Sequence, residues 1–184
     1  VSTGGATWAE IRALFEAPCA RSVDGVIQHC LSGVLRDACG DRLVLFHCVS
    51  TYPCQDAMAN LDCIRTLRRD IAFQCFDNWY GPIMGWSDHT LSYDLVPALA
   101  VACGAVVYEK HIRLENDNTS IDSAHSLTPK QFEYMVKVIR SAPKIIGDGV
   151  KNPHALEMHD RVFARRDKSD WLRPTMHGRL GNWE

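Results

Sequence analysis

The sequence lacks any continuous apolar run near the roughly 18 residues needed to cross a bilayer. Its first residues also lack a basic segment followed by an apolar one, the pattern of a secretory leader. Neither sign of charge dominates, since the formal net charge is -2, whereas proteins that bind nucleic acid or anionic membranes usually carry a basic excess. We therefore expect a cytoplasmic protein that acts on small molecules, with no nucleic-acid or membrane partner.

Paired cysteine motifs are also absent, although the chain contains eight cysteines. No two of them have the Cys-x-x-Cys spacing of a zinc site, and several lie within apolar helix or strand patterns, where a reduced cysteine acts as a small apolar residue. We expect no disulfide framework. The chain has no internal repeat or low-complexity segment, and its 46% of hydrophobic residues suffices for one sizeable core.

The chain does contain an alternation of apolar runs and amphipathic segments. Apolar runs at 43–46, 82–84 and 105–107 predict strands buried on both faces. Helical spacing of apolar residues predicts helices near 8–15, 23–40, 58–71, 95–103 and 128–139. An aromatic stretch at 73–82 is either a substrate lid or packed surface, and the second is favoured. The order predicts an α/β fold with a parallel sheet.

Polar residues directly follow two of the apolar runs, in Gly85-Trp86-Ser87-Asp88-His89-Thr90 and Tyr108-Glu109-Lys110-His111. Side chains alternate along a strand, so Ser87 shares a face with His89, and Glu109 with His111. If the strands are neighbours, two imidazoles converge with a hydroxyl and a carboxylate, which suits Mn²⁺, Fe²⁺ or Zn²⁺. The alternative is that each histidine is a hydrogen-bonded core or rim residue, and the spacing alone does not decide.

These two runs resemble motifs of the sialic acid synthase family (N-acetylneuraminate synthase and relatives). Two further motifs of that family match His47-Cys48-Val49-Ser50-Thr51-Tyr52-Pro53 upstream and Asp122-Ser123-Ala124-His125-Ser126-Leu127 downstream. Ser2-Thr3-Gly4-Gly5-Ala6-Thr7 and Gly147-Asp148-Gly149 also match in order and spacing. A complete barrel takes about 250 residues. The resemblance therefore implies a partial (β/α)8 TIM barrel, about its last three to four βα units. Residues 1–166 would be the carboxyl-terminal half of that barrel, and residues 167–184 a divergent tail.

The resemblance also implies an activity: condensation of phosphoenolpyruvate with N-acetylmannosamine or a related N-acyl amino sugar, giving a nine-carbon 2-keto acid and phosphate. A divalent metal, most often Mn²⁺, would polarise the sugar aldehyde. His89 and His111 match the two metal ligands, and Glu109 matches a carboxylate beside the metal, so these three would be catalytic. Tyr52 and Asp122 match sugar-binding residues. The hydroxyls that match phosphate donors belong to Ser2, Ser50 and Ser87.

This sequence departs from the family pattern in two respects. Asp122-Ser123 stands where many sialic acid synthases have Asp-His, a form closer to the pseudaminic acid synthase branch, so the sugar stays open. The family's carboxylate on the first strand and its lysines on the second and fourth strands have no counterpart here. We therefore expect the chain to be cut from a longer barrel, and to need the missing amino-terminal half-barrel or a second copy as a homodimer.

The sequence leaves two other functions to consider. One is a non-catalytic half-barrel that binds metal or a partner protein, because an open half-barrel leaves unpaired edges. The other is a Schiff-base aldolase, which is disfavoured because Lys110, the only strand lysine, alternates away from Glu109 and His111.

Overall fold

The computed structural model describes residues 1–16, 20–23, 26–29, 43–75, 82–117 and 119–158. The chain divides into two compact units, Val1–Ile146 and Gly147–Glu184. Within 147–158, the second unit forms a short 3-10 helix at Ala155–Glu157. The predicted tail at 167–184 and residues 76–81 of the aromatic stretch lie outside the described residues. In the part of the chain that is described, no helix has both the length and the apolar character needed to cross a bilayer.

The first unit alternates strands and helices after an initial helix and a hairpin. Among the described residues its elements, in chain order, are α1 (Trp8–Glu16), β1 (Ala20–Val23), β2 (Val26–His29), β3 (Val44–Cys48), α2 (Cys63–Cys75), β4 (Ile83–Asp88), α3 (Leu95–Ala102), β5 (Val107–Lys110) and α4 (Pro129–Ile146). Short 3-10 helices at Asp56–Met58 and Ser123–His125 lie in two of the connections.

The central sheet confirms the predicted α/β order with parallel strands. Strands β3, β4 and β5 lie side by side in that order, and both pairs are parallel. The first residues of the chain extend the sheet, because Ser2 forms a parallel bridge with Phe46 on β3. Since all the strands run the same way, their carboxyl ends meet at one edge.

One face of this sheet carries the hydrophobic core. Leu45, Met84 and Trp86 lie on it, and each is almost completely buried. They pack with apolar residues of α1, α2 and α3, namely Ile11, Phe15, Ile64, Leu67, Ile71, Val96 and Ala100. Burying each large apolar side chain contributes about 1.5–3 kcal/mol. On the opposite face, Phe46 and Val107 are only partly buried.

Helix ends follow the local sequence signals. At the start of α1, the Glu10 carboxylate accepts the N–H of Thr7 at 2.7 Å and Thr7 Oγ1 accepts the N–H of Glu10 at 3.3 Å, which forms a capping box. At the start of α4, the N–H of Thr128 donates to Gln131 Oε1 at 2.9 Å. Gly104 follows α3 with a φ of 102°, a conformation that favours glycine.

The structure contradicts the first part of one predicted element, the amphipathic helix at 23–40. Strands β1 and β2 instead form an antiparallel hairpin in which Val23 lies opposite Val26. The sequence between these paired residues is Asp24-Gly25, a preferred two-residue hairpin sequence, and β-branched residues favour strands. These signals outweigh the helical spacing of the apolar residues. Residues 24–25 and 30–40 of the predicted helix lie outside the described residues.

A buried ion pair joins β4 and β5 on the core face of the sheet. Lys110 Nζ lies 3.2 Å from Asp88 Oδ2, and neither side chain is exposed to solvent. Tyr108 donates its hydroxyl proton to the same carboxylate, and Lys110 also donates to the carbonyl oxygen of Thr90. The N–H of Thr90 donates to Asp88 Oδ1 at 2.7 Å. The network therefore fixes the end of β4 against the end of β5.

Burial changes the acidity of this network. It lowers the pKa of Lys110, while the nearby charge of Asp88 opposes that change. Burial, followed by the charge of Asp88, raises the pKa of Tyr108. The Tyr108 hydroxyl therefore remains a hydrogen-bond donor throughout the physiological pH range.

Removal of one member of the buried pair should strongly destabilise the chain. Lys110→Met leaves the Asp88 carboxylate buried without its partner, which costs about 3–5 kcal/mol in the free energy of unfolding. Lys137→Met is the matched control, since Lys137 pairs with Glu133 at 2.6 Å on the exposed surface of α4, where solvent screens the charges. Urea unfolding measures both effects. Equal losses in the two variants would show that the buried pair has no special role.

Candidate functional site

Side chains at the ends of β4 and β5 meet on the face of the sheet opposite the core. Ser87 and Glu109 lie in register on adjacent strands, and Ser87 Oγ donates to Glu109 Oε1 at 2.6 Å. His89 and His111 follow the two strands, with ring centroids 5.3 Å apart. The structure thus brings a hydroxyl, a carboxylate and two imidazoles together at the carboxyl edge of the sheet.

His89 is held by the chain that leaves β3. Its Nδ1 lies 3.0 Å from the carbonyl oxygen of Val49 and 3.8 Å from Cys48 Sγ, and the ring is buried. A carbonyl oxygen only accepts, so Nδ1 is the donor in this contact and Nε2 is the nitrogen left to bind a metal. This arrangement is typical of metal-binding histidines, in which a hydrogen bond to one nitrogen orients the other.

A third imidazole lies in the same place, and the sequence reasoning assigned it no role. His111, Asp122 and His125 each offer one ligand atom, and within the described ranges these atoms lie within 4.8 Å of one another. His111 Nδ1 is 3.7 Å from Asp122 Oδ2, and His125 Nε2 is 3.4 Å from Asp122 Oδ1. The Asp-x-x-His spacing of Asp122 and His125 is the sequence signal that could have placed His125 in the site, because residues three apart in a helical turn lie on the same side.

The segment that carries Asp122 and His125 is fixed to the chain leaving β5. The N–H of Leu127 donates to the carbonyl oxygen of His111 at 2.9 Å, and the N–H of Arg113 donates to that of Leu127 at 3.0 Å. These bonds form a parallel bridge around the loop. The backbone therefore sets the separation of His111 and His125.

Tyr52, the predicted sugar-site aromatic, lies beside this cluster. It is 57% exposed, and its ring centroid lies 4.3 Å from that of His89 and 5.1 Å from that of His125. An exposed ring with one side against two imidazoles forms a wall beside the cluster.

The serines predicted to bind phosphate have different surroundings. Ser87 is buried and bonded to Glu109, whereas Ser2 and Ser50 are exposed. Ser50 Oγ lies 4.0 Å from Cys48 Sγ and close against Gly4, where a Cβ would collide with it. Ser2 Oγ accepts the N–H of Gly4 at 3.4 Å, a contact typical of a turn.

Burial favours the neutral form of two imidazoles. It lowers the pKa of His125, and the neighbouring His111 lowers it further, while Asp122 opposes both. Burial likewise lowers the pKa of His47, whose Nε2 donates to the carbonyl oxygen of Ala59 at 2.9 Å. Neutral imidazole is the form that binds metals, so His125 is in its ligand form at neutral pH.

Stability should fall as the pH falls below about 6.5, the ordinary pKa of histidine. A ring whose pKa is lowered by folding takes up its proton first in the unfolded chain, so stability is lost between that value and the folded-state pKa. His47→Gln retains a donor for Ala59 but does not titrate. The free energy of unfolding of the His47→Gln variant should therefore decline less than that of the parent chain between about pH 7.5 and pH 5. Denaturant unfolding with EDTA present measures this, and equal declines in variant and parent would contradict it.

The family profile that matches the chain is that of the NeuB family, over residues 1–151. The chain belongs to the NeuB family. This NeuB-family chain is 38% identical over 126 residues to the N,N'-diacetyllegionaminic acid synthase of Legionella pneumophila, an alignment covering 68% of the chain and 33% of that protein. It is 37% identical over 123 residues to the pseudaminic acid synthase of Campylobacter jejuni, covering 67% and 33%.

A solved structure shows the same fold. The N-acetylneuraminic acid (sialic acid) synthetase of Leptospira borgpetersenii, in complex with citrate, matches with a TM-score of 0.64 and 29% identity, over 87% of this chain and 46% of that chain. The predicted resemblance is thereby confirmed. The NeuB-family chain spans about a third of the length of these curated relatives and just under half of the solved chain.

Proposed function

We propose that this chain forms the carboxyl-terminal half of the barrel of a sialic-type synthase, which condenses phosphoenolpyruvate with N-acetylmannosamine or a related N-acyl amino sugar. The observation that carries the proposal is the meeting of Ser87, Glu109, His89 and His111 at the carboxyl edge of the parallel sheet. Active sites of (β/α)8 barrels lie at this edge. The named relatives are synthases of legionaminic and pseudaminic acids.

The sheet itself supports a half-barrel. In a closed barrel the inner face is filled by layers of side chains from all the strands. Here Val44, Phe46 and Val107 on that face are only partly buried. The proposal therefore includes an amino-terminal half-barrel, or a second copy of the chain, that covers this face and supplies cationic groups for the carboxylate and phosphate. The boundary at residue 166 and the cytoplasmic location remain predictions.

A divalent cation, which the resemblance predicts to be Mn²⁺, would be held by His89 through Nε2 and by His111. The residues fit such an ion, because neutral imidazoles beside carboxylates suit borderline divalent metals, and the buried Nε2 of His125 lacks a hydrogen-bond partner at this place. Bound there, the ion supplies Lewis-acid polarisation of the sugar aldehyde.

The protein side chains would position the reacting groups. The enol carbon of phosphoenolpyruvate would bond to the aldehyde carbon as the C=O π electrons move to the aldehyde oxygen, which takes up a proton. Water would add at the enolpyruvyl carbon with loss of a proton, and the C–O bond to phosphate would break as the remaining hydroxyl proton leaves and the keto group forms. Ser87 occupies Oε1 of Glu109, which leaves Oε2 to orient that water. Asp122 would accept hydrogen bonds from sugar hydroxyls beside the Tyr52 ring. Hydroxyl groups bind phosphate without adding charge, the role proposed for Ser2, Ser50 and Ser87.

Loss of either predicted ligand should weaken metal binding. His89→Ala and His111→Ala should each lower the affinity for Mn²⁺ by about tenfold or more, because each removes an imidazole. His154→Ala is the matched control, since His154 is exposed and belongs to no group of metal-ligand atoms among the described residues. Isothermal titration calorimetry measures the affinities. Parent-like Mn²⁺ binding in both ligand variants would refute the assignment.

A chimeric enzyme tests the proposed reaction. The matching third of the Legionella pneumophila synthase is replaced by the aligned residues of this chain, and phosphate release from phosphoenolpyruvate is measured with that synthase's own sugar. We expect EDTA-sensitive release that is lost when His111→Ala is added to the chimera. A folded, metal-binding chimera that releases no phosphate would contradict the proposal and favour a non-catalytic, metal-binding half-barrel.

A further inference from the structure

His125 has no part in the proposed reaction, yet its side chain lies within the site, in contact with the rings of His111 and Tyr52. It is 3% exposed, and its Nε2 is buried without a hydrogen-bond partner. Buried polar atoms are nearly always satisfied by protein or water, so an unsatisfied one calls for an explanation. A bound cation would satisfy this nitrogen, because a neutral imidazole donates its lone pair to a metal.

His125 Nε2 also lies near a carboxylate oxygen, which is a second type of metal ligand. Nε2 of His125 lies 3.4 Å from Asp122 Oδ1 without forming a hydrogen bond. Two ligand atoms of a tetrahedral ion with bonds of about 2.0–2.1 Å are separated by about 3.3 Å. The His125–Asp122 separation is compatible with two donors on one ion, and it is also the separation of a direct ion pair.

The spacing of the three imidazole ring centroids is compatible with ligation of a single ion, and within the described residues the ligand atoms that lie within 4.8 Å of one another are those of His111, His125 and Asp122. A metal–nitrogen bond of about 2.0–2.1 Å puts the ring centroid about 3.2 Å from the ion, so two bound rings at about 90–140° have centroids about 4.5–6 Å apart. The centroid separations are 4.7 Å for His111 and His125, 5.3 Å for His89 and His111, and 6.0 Å for His89 and His125. All three fall within this range.

We propose that His125 is a third imidazole ligand of the ion bound by His89 and His111, with Asp122 as a neighbouring oxygen donor. This inference rests on the metal site of the proposed function. Imidazole suits Zn²⁺, Fe²⁺ and Ni²⁺, whereas carboxylate and water suit Mn²⁺, and the Irving–Williams order places Mn²⁺ last among the first-row divalent ions. A third imidazole therefore raises the affinity for Co²⁺ and Zn²⁺ more than that for Mn²⁺.

The competing explanation is that His125 serves only to pack. Its ring meets that of His111 nearly edge-on, at 76°, and lies against Tyr52. Packing of this kind requires an aromatic ring but no nitrogen. His125→Phe keeps the ring and removes the nitrogen, so it separates the two roles. His154→Phe makes the same change at an exposed histidine and serves as the control.

Cobalt absorption provides a readout that does not depend on catalysis. The full chain is titrated with Co²⁺, whose visible bands are far more intense in four-coordinate than in six-coordinate sites, and with Mn²⁺ by calorimetry. His125→Phe should lower the Co²⁺ affinity by about tenfold or more, weaken the visible bands and reduce the ratio of Co²⁺ to Mn²⁺ affinity. Parent-like Co²⁺ affinity and spectrum in a folded His125→Phe variant would overturn the proposal.

A second measurement uses the unaltered chain, so it holds even if the variant does not fold. In a nuclear magnetic resonance titration with Zn²⁺, the ring signals of His89, His111 and His125 should shift together. Shifts at His89 and His111 alone would overturn the assignment of His125 as a metal ligand and leave the proposed function intact. Shifts at all three, with a chimera that releases no phosphate, would sustain the third ligand and overturn the synthase reaction.

Discussion

The buried ion pair between Asp88 and Lys110 is the interaction on which the site depends. It holds the ends of β4 and β5 in one register, because either charge would be left buried alone if the strands moved apart. A slip of one residue would turn the Ser87 and Glu109 side chains towards the core. The hydrogen bonds from the Tyr108 hydroxyl to Asp88 and from Lys110 to the Thr90 carbonyl further stabilise this register. Residues that take no part in the proposed chemistry thus hold those that do.

Because side chains alternate along each strand, one face of the sheet carries the residues that stabilise the fold and the other carries the proposed site. Towards the helices, the strands present Leu45, Met84 and Trp86 and then the ion pair. The opposite face presents the polar cluster and, below it, apolar side chains that are only partly buried. A face of this kind is suited to the interior of a barrel completed by further strands.

Local signals in the sequence were sufficient for much of the fold. The apolar run at 43–46 and the Thr128 cap act over a few residues, and β3 and α4 lie where they predict. The helix predicted at 23–40 is wrong at Val23 and at residues 26–29, because the Asp24-Gly25 turn signal outweighs the helical pattern there. Strand alternation predicted the face of Lys110 but not its partner. The closeness of His125 to His111 depends on backbone bonds between Leu127 and the chain leaving β5, which no periodicity encodes.

The central claim is that the carboxyl edge of this sheet is a metal site. Its most direct test is a crystal structure of the chain soaked with Mn²⁺ or Co²⁺, with anomalous diffraction to locate the ion. The account predicts one strong peak within bonding distance of imidazole nitrogens of His89 and His111. A peak only elsewhere, or none in crystals of a folded chain soaked well above the measured dissociation constant, would contradict it.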